Sequence, residues 1–539
     1  MTTSASAEQR TLSALLTDAV ARHADEIALV ENDVWTTFGE LAERVSKLAS
    51  GLADIGVSSG DAVAIWLPNR TQWVELVFAT ARLGAVAVGV NTRYRSRELV
   101  HVLHTCGAKA LVVEPGFKGI DFAGMLAEAA GDMPDSLEAL VTIGRSSDLL
   151  PGVATVDYEE LITRDTGPVC DVASPGLPSS AFSSSGTTGA PKLVRHTQGG
   201  IVAHSNAVAE AFGYDTPGSV VLAALPMCGV FGYNTVLAAL AGGATTVLLP
   251  EFKTDAVVTT MRDEAVTHTN LADEMLRRIV DHPGALASLP AWRECGFGAF
   301  TATDPRQLVE AGEAEGKKFF QTFGSSEVLA IMTYPAPGSP VERRELGGGV
   351  PCHPDVEVRV RGADGRLCGI GETGEIEVKG PNLTCGYYGI VGIPDLDEEG
   401  FFRTGDLGKM LDERDFVYVS RAGDVLRLAG FLVSPREIES FLEEQDGVEG
   451  AQVVGVDLGT DTAPVAFLTA EPGRQIDVAA IRSAASRELA SFKVPRLVEV
   501  LDEFPVTRGT NGVKIQRTVL RDRAIHAWNA RHEEKGMAQ

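Results

Sequence analysis

The residues best suited to chemistry in this chain lie together in Ser183-Ser184-Ser185-Gly186-Thr187-Thr188-Gly189-Ala190-Pro191-Lys192. Glycine lets a backbone come close to an anion, hydroxyls and amide N–H groups donate to it, and lysine adds a positive charge. That is the composition of a phosphate-holding loop, although a Ser/Gly-rich surface turn has it too. It is not the common P-loop, Gly-x-x-x-x-Gly-Lys-Ser/Thr, because Ala190-Pro191 separates Gly189 from Lys192 and Leu193 follows.

The rest of the chain constrains what such a loop could serve. At 539 residues it is too long for one hydrophobic core and predicts two to four domains. A formal net charge of −26 argues against a nucleic-acid partner or an anionic membrane surface, so any polyphosphate must be held by local donors. Seven cysteines without paired spacing fit neither a disulfide framework nor a zinc site. Residues 219–250 are apolar, but Pro226, Gly229, Gly232, Asn234 and Gly242-Gly243 break them up. They read as strand, helix and strand of a buried sheet instead of a membrane span. A soluble, cytoplasmic protein is expected.

Elements that could position the loop follow from periodicity. Leu41, Val45, Leu48, Leu52 and Ile55 recur at helical spacing and predict a helix over 39–55. Strand 61–67, helix 71–82, strand 84–90, helix 97–105 and strand 108–113 then alternate, as βαβ units of a mostly parallel sheet do. Residues 115–178 are punctuated by Gly, Pro and Asp and read as a connecting region. A second α/β unit spans about 200–330, with helices at 198–212, 232–241 and 272–281 and strands at 220–225, 245–249 and near Phe297. From about 345 to 419, alternating runs such as 356–360 and 374–378 predict a small antiparallel barrel. A compact α+β tail follows. Ser434-Pro435-Arg436-Glu437 opens a helix to Glu444, strands fall at 451–456, 464–469 and 497–501, and a helix lies at 476–490.

Motifs along the whole chain resemble those of the adenylate-forming superfamily, in the same order. Residues 184–192 resemble its Ser/Thr-Gly-rich lysine signature, and Phe323-Gly324-Ser325-Ser326-Glu327 its aromatic-Gly-x-Thr-Glu motif. Phe402-Arg403-Thr404-Gly405-Asp406 is similar to Tyr/Phe-Arg-Thr-Gly-Asp. Arg421 to Asp424, with Gly430 and Pro435 to Glu439, is similar to the hinge region. Thr507 to Lys514 sits where the terminal lysine motif belongs.

The resemblance implies an α/β enzyme with an N-terminal AMP-binding domain over 1–419, a hinge at 420–424 and a mobile α+β domain over 425–539. It implies an acyl-CoA ligase that makes an acyl-adenylate from ATP and a carboxylic acid, then a thioester with CoA. In that reading Ser184, Ser185, Gly186, Thr187, Thr188, Gly189 and Lys192 hold phosphates. Glu327 ligates Mg²⁺, and Phe323, Gly324, Ser325 and Ser326 bind the nucleotide. Asp406 takes the ribose hydroxyls, Arg421 the ribose or phosphates, and Lys514 stabilises the adenylation transition state. Gly423 is the hinge, and Gly430 lines the pantetheine tunnel.

Two departures from the family pattern carry information. Relatives have an aromatic residue and a histidine where this chain has Cys228 and Gly229; small residues there, with Gly232 and Gly298, leave volume for a bulky acid (aryl, polycyclic or long-chain). Relatives also separate the terminal threonine and lysine by three residues, whereas 508–513 stand between Thr507 and Lys514 here. Asn511-Gly512 is turn-prone, so this segment is expected to fold into its own loop tip. Alternatives are an enzyme that loads a carrier protein instead of CoA, and one that mainly thioesterifies a preformed adenylate.

Overall fold

The computed structural model describes residues 10–144, 149–164, 167–184, 192–300, 304–422, 426–428, 431–433, 435–457, 462–489, 492–509 and 512–537. Two largely parallel sheets carry the first part of the chain. One runs, edge to edge, through Gly386–Tyr387, Lys192–Thr197, Pro178–Ser184, Val86–Gly89, Ala62–Trp66, Ala108–Val113, Ala139–Thr142 and Ala154–Asp157. The other runs through Lys318–Gln321, Glu294–Gly298, His268–Ala272, Val220–Ala223, Thr245–Leu248, Ile27–Glu31 and Val34–Thr37.

Helix Phe38–Asp54 starts where a capping box closes: Thr37 Oγ1 accepts from the Glu40 N–H, and Glu40 accepts from the Thr37 N–H. Helix Val230–Gly242 is buried along its whole length, which explains its lack of a polar stripe. One core cluster joins residues of both sheets, from Val63 and Ile65 through Phe182 to Val221, Leu248 and Phe320. Strand Val86–Gly89 of the first sheet lies against the loop that follows strand Val220–Ala223 of the second. A Cβ added to Gly89 would lie 2.7 Å from the Cys228 carbonyl oxygen.

The connecting region contains more structure than its composition suggests. Ala139–Thr142 and Ala154–Asp157 extend the first sheet in parallel, and helices Phe122–Ala129 and Tyr158–Thr163 accompany them. These strands have four residues each, too short to show a periodicity through the Gly and Pro punctuation. Strand His268–Ala272 also went unread, lost between the helices that flank it.

Where a small barrel was expected, six antiparallel strands run in the order Thr333–Tyr334, Gly348–Pro351, Phe416–Arg421, Phe402–Met410, Gly374–Lys379 and Glu357–Arg361. Further on, helix Pro435–Glu443 packs on a sheet of Val448–Asp457, Thr462–Ala470 and Leu497–Leu501. Strands Val506–Gly509 and Gly512–Ile515 form a hairpin, and helix Arg517–Met537 follows. Among the described residues, no helix is long and apolar enough to cross a membrane.

Candidate functional site

Pairing of Ser184 with Lys192 closes the antiparallel strands Pro178–Ser184 and Lys192–Thr197, so residues 185–191 join two neighbouring strands at one sheet end. Ser185, Gly186, Thr187, Thr188 and Gly189 themselves lie outside the described residues, as do Gly423 and Gly430. Lys192 is exposed, and its ammonium stands 5.6 Å from the centroid of the Tyr387 ring. That is cation–π distance. Tyr387 belongs to the short strand that pairs with Val194. Its hydroxyl makes a long hydrogen bond, 3.4 Å, to Glu327 Oε1. Burial first, and the Glu327 carboxylate second, push the Tyr387 hydroxyl pKa upward, so it stays a donor.

Glu327 sits in a single 3₁₀ turn, Ser326–Val328, whose entry is capped by Ser325 Oγ accepting from the Glu327 N–H at 3.3 Å. The chain then bends through three consecutive non-glycine residues in the left-handed region: Leu329 (φ 60°), Ala330 (φ 46°) and Ile331 (φ 31°). Such a run is costly, roughly 1–2 kcal/mol per residue, and persists only if its surroundings impose it. They do so through five contacts, three to carbonyls of the turn before the run and two to carbonyls of the run itself. The Thr384 N–H donates to Glu327 O at 2.7 Å, and Asn382 Nδ2 to Val328 O at 2.9 Å. His196 Nε2 donates to Ser326 O at 2.8 Å, Asn234 Nδ2 to Leu329 O at 3.0 Å, and His204 Nε2 to Ala330 O at 3.0 Å. Burial holds the pKa of both imidazoles down at about 4, so both are neutral donors near neutral pH. Gly324 is required for the bend, because a Cβ there would meet Ala330 Cα at 2.6 Å. Phe323 packs edge-on against Phe416.

Asp406 and Arg421 occupy facing positions on neighbouring strands of the antiparallel sheet. Arg421 Nε lies 3.0 Å from Asp406 Oδ1, and its Nη1 donates to Thr404 O at 2.9 Å. The carboxylate is nearly buried and the guanidinium half-exposed.

The small residues expected to line an acid pocket divide into two kinds. Gly298 faces ring atoms: a Cβ would lie 2.8 Å from Phe300 and 3.3 Å from Phe231. Gly232 faces backbone, with the Leu225 and Pro226 oxygens 2.3 and 2.4 Å from its would-be Cβ. Its lack of a side chain lets a loop close on the helix and adds no pocket volume; that expectation is corrected. Cys228 is buried, its thiol pKa raised to about 12 by desolvation, and Gly229 precedes the first turn of helix Val230–Gly242. For a magnesium ion, which keeps most of its oxygens from phosphate and water, one protein carboxylate suffices. Glu327 fits, with Oε2 free of hydrogen bonds among the described residues.

Sequence reasoning missed Tyr387, His196, His204 and Asn234. Nothing local marks them, since each acts across more than 50 residues of chain: |i−j| is 60, 130, 126 and 95.

Residues 16–388 match the family model described as AMP-binding enzyme, and residues 437–510 that of the AMP-binding enzyme C-terminal domain. The chain is 32% identical over 539 residues to the 3-[(3aS,4S,7aS)-7a-methyl-1,5-dioxo-octahydro-1H-inden-4-yl]propanoyl:CoA ligase of Rhodococcus jostii (strain RHA1), covering 96% of this chain and 99% of that one. It is 30% identical over 523 residues to the 2-hydroxy-7-methoxy-5-methyl-1-naphthoate–CoA ligase of Streptomyces carzinostaticus, covering 93% and 91%. Among solved structures, ATP-bound MatB from Rhodopseudomonas palustris superposes with a TM-score of 0.82 at 25% identity, over 96% of this chain and 99% of that one.

Proposed function

The chain belongs to the family of AMP-binding enzymes, and on that premise we propose that it is an AMP-forming acyl-CoA ligase for a bulky cyclic carboxylic acid. The continuous array Lys192–Tyr387–Glu327 is the observation that carries this reading. It sets a cation at the mouth of the Ser/Gly loop and a carboxylate beyond it, the two charges an ATP-handling site needs.

In the first half-reaction a carboxylate oxygen of the acid attacks the α-phosphorus of ATP. A new P–O bond forms, the α–β anhydride breaks, and pyrophosphate leaves. The protein contributes position and charge. The 184–192 loop and Lys192 hold the β- and γ-phosphates. Glu327 holds Mg²⁺, which when bound offsets phosphate charge. Asp406, kept in place by Arg421, accepts from the ribose hydroxyls. Lys514 meets the charge developing at the α-phosphate. In the second half-reaction the CoA thiolate attacks the adenylate carbonyl carbon and AMP leaves, with Gly423 turning the C-terminal domain and Gly430 admitting the pantetheine arm.

The relatives' names point to polycyclic and aryl acids, and Gly298 faces the aromatic rings of Phe231 and Phe300. CoA-dependent AMP release, measured across aryl, polycyclic, long-chain and short-chain acids, tests this. Turnover confined to cyclic acids is expected. AMP release with acetate alone, or only with a holo carrier protein as acceptor, would refute it.

A further inference from the structure

Resting on the ligase reading, in which Lys514 serves the first half-reaction alone, we propose that Glu439 is a positioning residue for Lys514. Through Arg517 it fixes the base of the lysine hairpin, and so it acts on adenylation and not on thioester formation.

The sheet of the C-terminal part ends at strand Val448–Asp457, which pairs with Thr462–Ala470 on one side. On its other side, outward backbone groups meet helix Pro435–Glu443, where Glu439 and Glu443 stand four residues apart on one face. The Ala451 N–H donates to Glu443 Oε1 at 3.4 Å, and the Val453 N–H to Glu439 Oε1 at 2.9 Å. Each carboxylate also takes an arginine. Glu443 takes Arg436, from its own helix, at 2.9 and 2.8 Å. Glu439 takes Arg517 Nη2 at 2.7 Å, while Arg517 Nη1 donates to the Val453 carbonyl at 3.3 Å. The Glu439 side chain is 1% exposed. Two carboxylates thus close one strand edge, and one of them does so with an arginine from the segment that carries Lys514.

That segment needs a tether. Strands Val506–Gly509 and Gly512–Ile515 form a sheet of two and, among the described residues, join no other strand. A two-stranded hairpin is marginal by itself, so what grips its ends decides where it stands. Phe504 and Ile515 pack on the cluster of Val454, Phe467 and Leu501, but apolar contact has no direction. The Gln516 N–H donates to Pro505 O at 2.8 Å, which closes the hairpin on itself. Arg517, three residues past Lys514, makes directed bonds to other elements. Misplacing a reacting group by about 1 Å can cost about 10²-fold in rate, so slack at this base reaches the chemistry of the lysine.

Stability and placement can be separated. Removing one member of a buried ion pair is strongly destabilising, whereas replacing both by apolar residues is often neutral. Two rates are measured in each protein. One is acid-dependent pyrophosphate release, with naphthoic acid or whichever acid of the panel above turns over faster; the other is thioester formation from the matching acyl-adenylate and CoA. Their ratio cancels any loss of folded enzyme. Glu439→Leu and Arg517→Met should each lower the first rate relative to the second by about tenfold or more. Glu439→Gln, which keeps an acceptor for Arg517, should hold the ratio near that of the unmodified protein. Glu439→Leu combined with Arg517→Met should regain thermal midpoint over either alone and leave the ratio low. Glu443→Leu, the same change on the neighbouring carboxylate, should not move the ratio. A ratio unmoved by Glu439→Leu, moved as far by Glu443→Leu, or restored in the combined variant overturns the proposal. If the unmodified protein releases no pyrophosphate with any acid, the ligase reading fails. Faster hydrogen exchange of the 506–515 amides in Glu439→Leu than in Glu443→Leu would then still establish the tether, and equal exchange would overturn it.

Discussion

Thr507 and Lys514 stand directly across from each other, paired in the hairpin of Val506–Gly509 and Gly512–Ile515. Of the six residues between them, which looked like a displacement of the lysine along the chain, four are taken up in two strands that pair Arg508 with Val513 and Gly509 with Gly512. A hairpin returns its second strand to the level of its first, so lengthening it by whole residue pairs moves its tip outward and leaves its base in place.

From this register, Lys514→Ala should lower acid-dependent pyrophosphate release by roughly 10²–10³, the cost of one preorganised donor in a dry site. Thioester formation from a supplied acyl-adenylate should change little. Lys514→Arg should not restore the first step, because a planar fork is not a point charge. Equal losses in both half-reactions would contradict this role.

Tyr387 offers a test in which ring and hydroxyl act separately. Tyr387→Phe keeps the face beneath Lys192 and removes the donor to Glu327, so kcat for pyrophosphate release should fall with KM for ATP nearly unchanged. Tyr387→Leu removes both, and KM for ATP should also rise by about two- to fivefold, the scale of an exposed cation–π contact. Steady-state kinetics at varied ATP separates the two variants.

His196 and His204 predict how the protein fails in acid. In the unfolded chain each imidazole titrates near its ordinary value, 6.5, whereas in the folded protein it does so at about 4. Between these values the unfolded state binds more protons, so stability falls as pH is lowered from about 6.5 to 4 and is indifferent to these groups above 6.5. The thermal midpoint should drop across that window. His204→Gln, which keeps an N–H donor without a titrating ring, should flatten the slope even if it lowers the midpoint at pH 7.

Gly232→Ala distinguishes a packing glycine from a pocket glycine. Its Cβ would lie within 2.4 Å of two backbone oxygens that cannot turn aside. Destabilisation of about 1–3 kcal/mol is expected in denaturant unfolding, as for other overpacked interiors. Relative rates among different acids should stay as in the unmodified protein.

How far the sequence could be read depended on the range of the interactions involved. Helix Phe38–Asp54 was legible because its apolar stripe and its Thr37–Glu40 box are local. Strand Ala62–Trp66 was legible as an uninterrupted apolar run bounded by Asp61 and Pro68. Strands Ala139–Thr142 and Ala154–Asp157 were not, since so short a strand acquires its conformation from the neighbours it pairs with. The same holds at the site. Glu327 and Asp406 sit in short runs whose resemblance to adenylate-forming motifs suggests a role. The donors that force residues 329–331 into a left-handed bend come from distant strands and helices, and a buried histidine reads in sequence like any other core residue.

The contact between Gly89 and the Cys228 carbonyl bears on how the chain can be divided. The two halves of the large domain share one cluster of side chains and touch backbone to backbone, so neither could be expressed alone with its interior intact. Split-protein reporters and family chimeras built by exchanging the segment before Pro178 against the one after it would inherit mismatched partners at this seam.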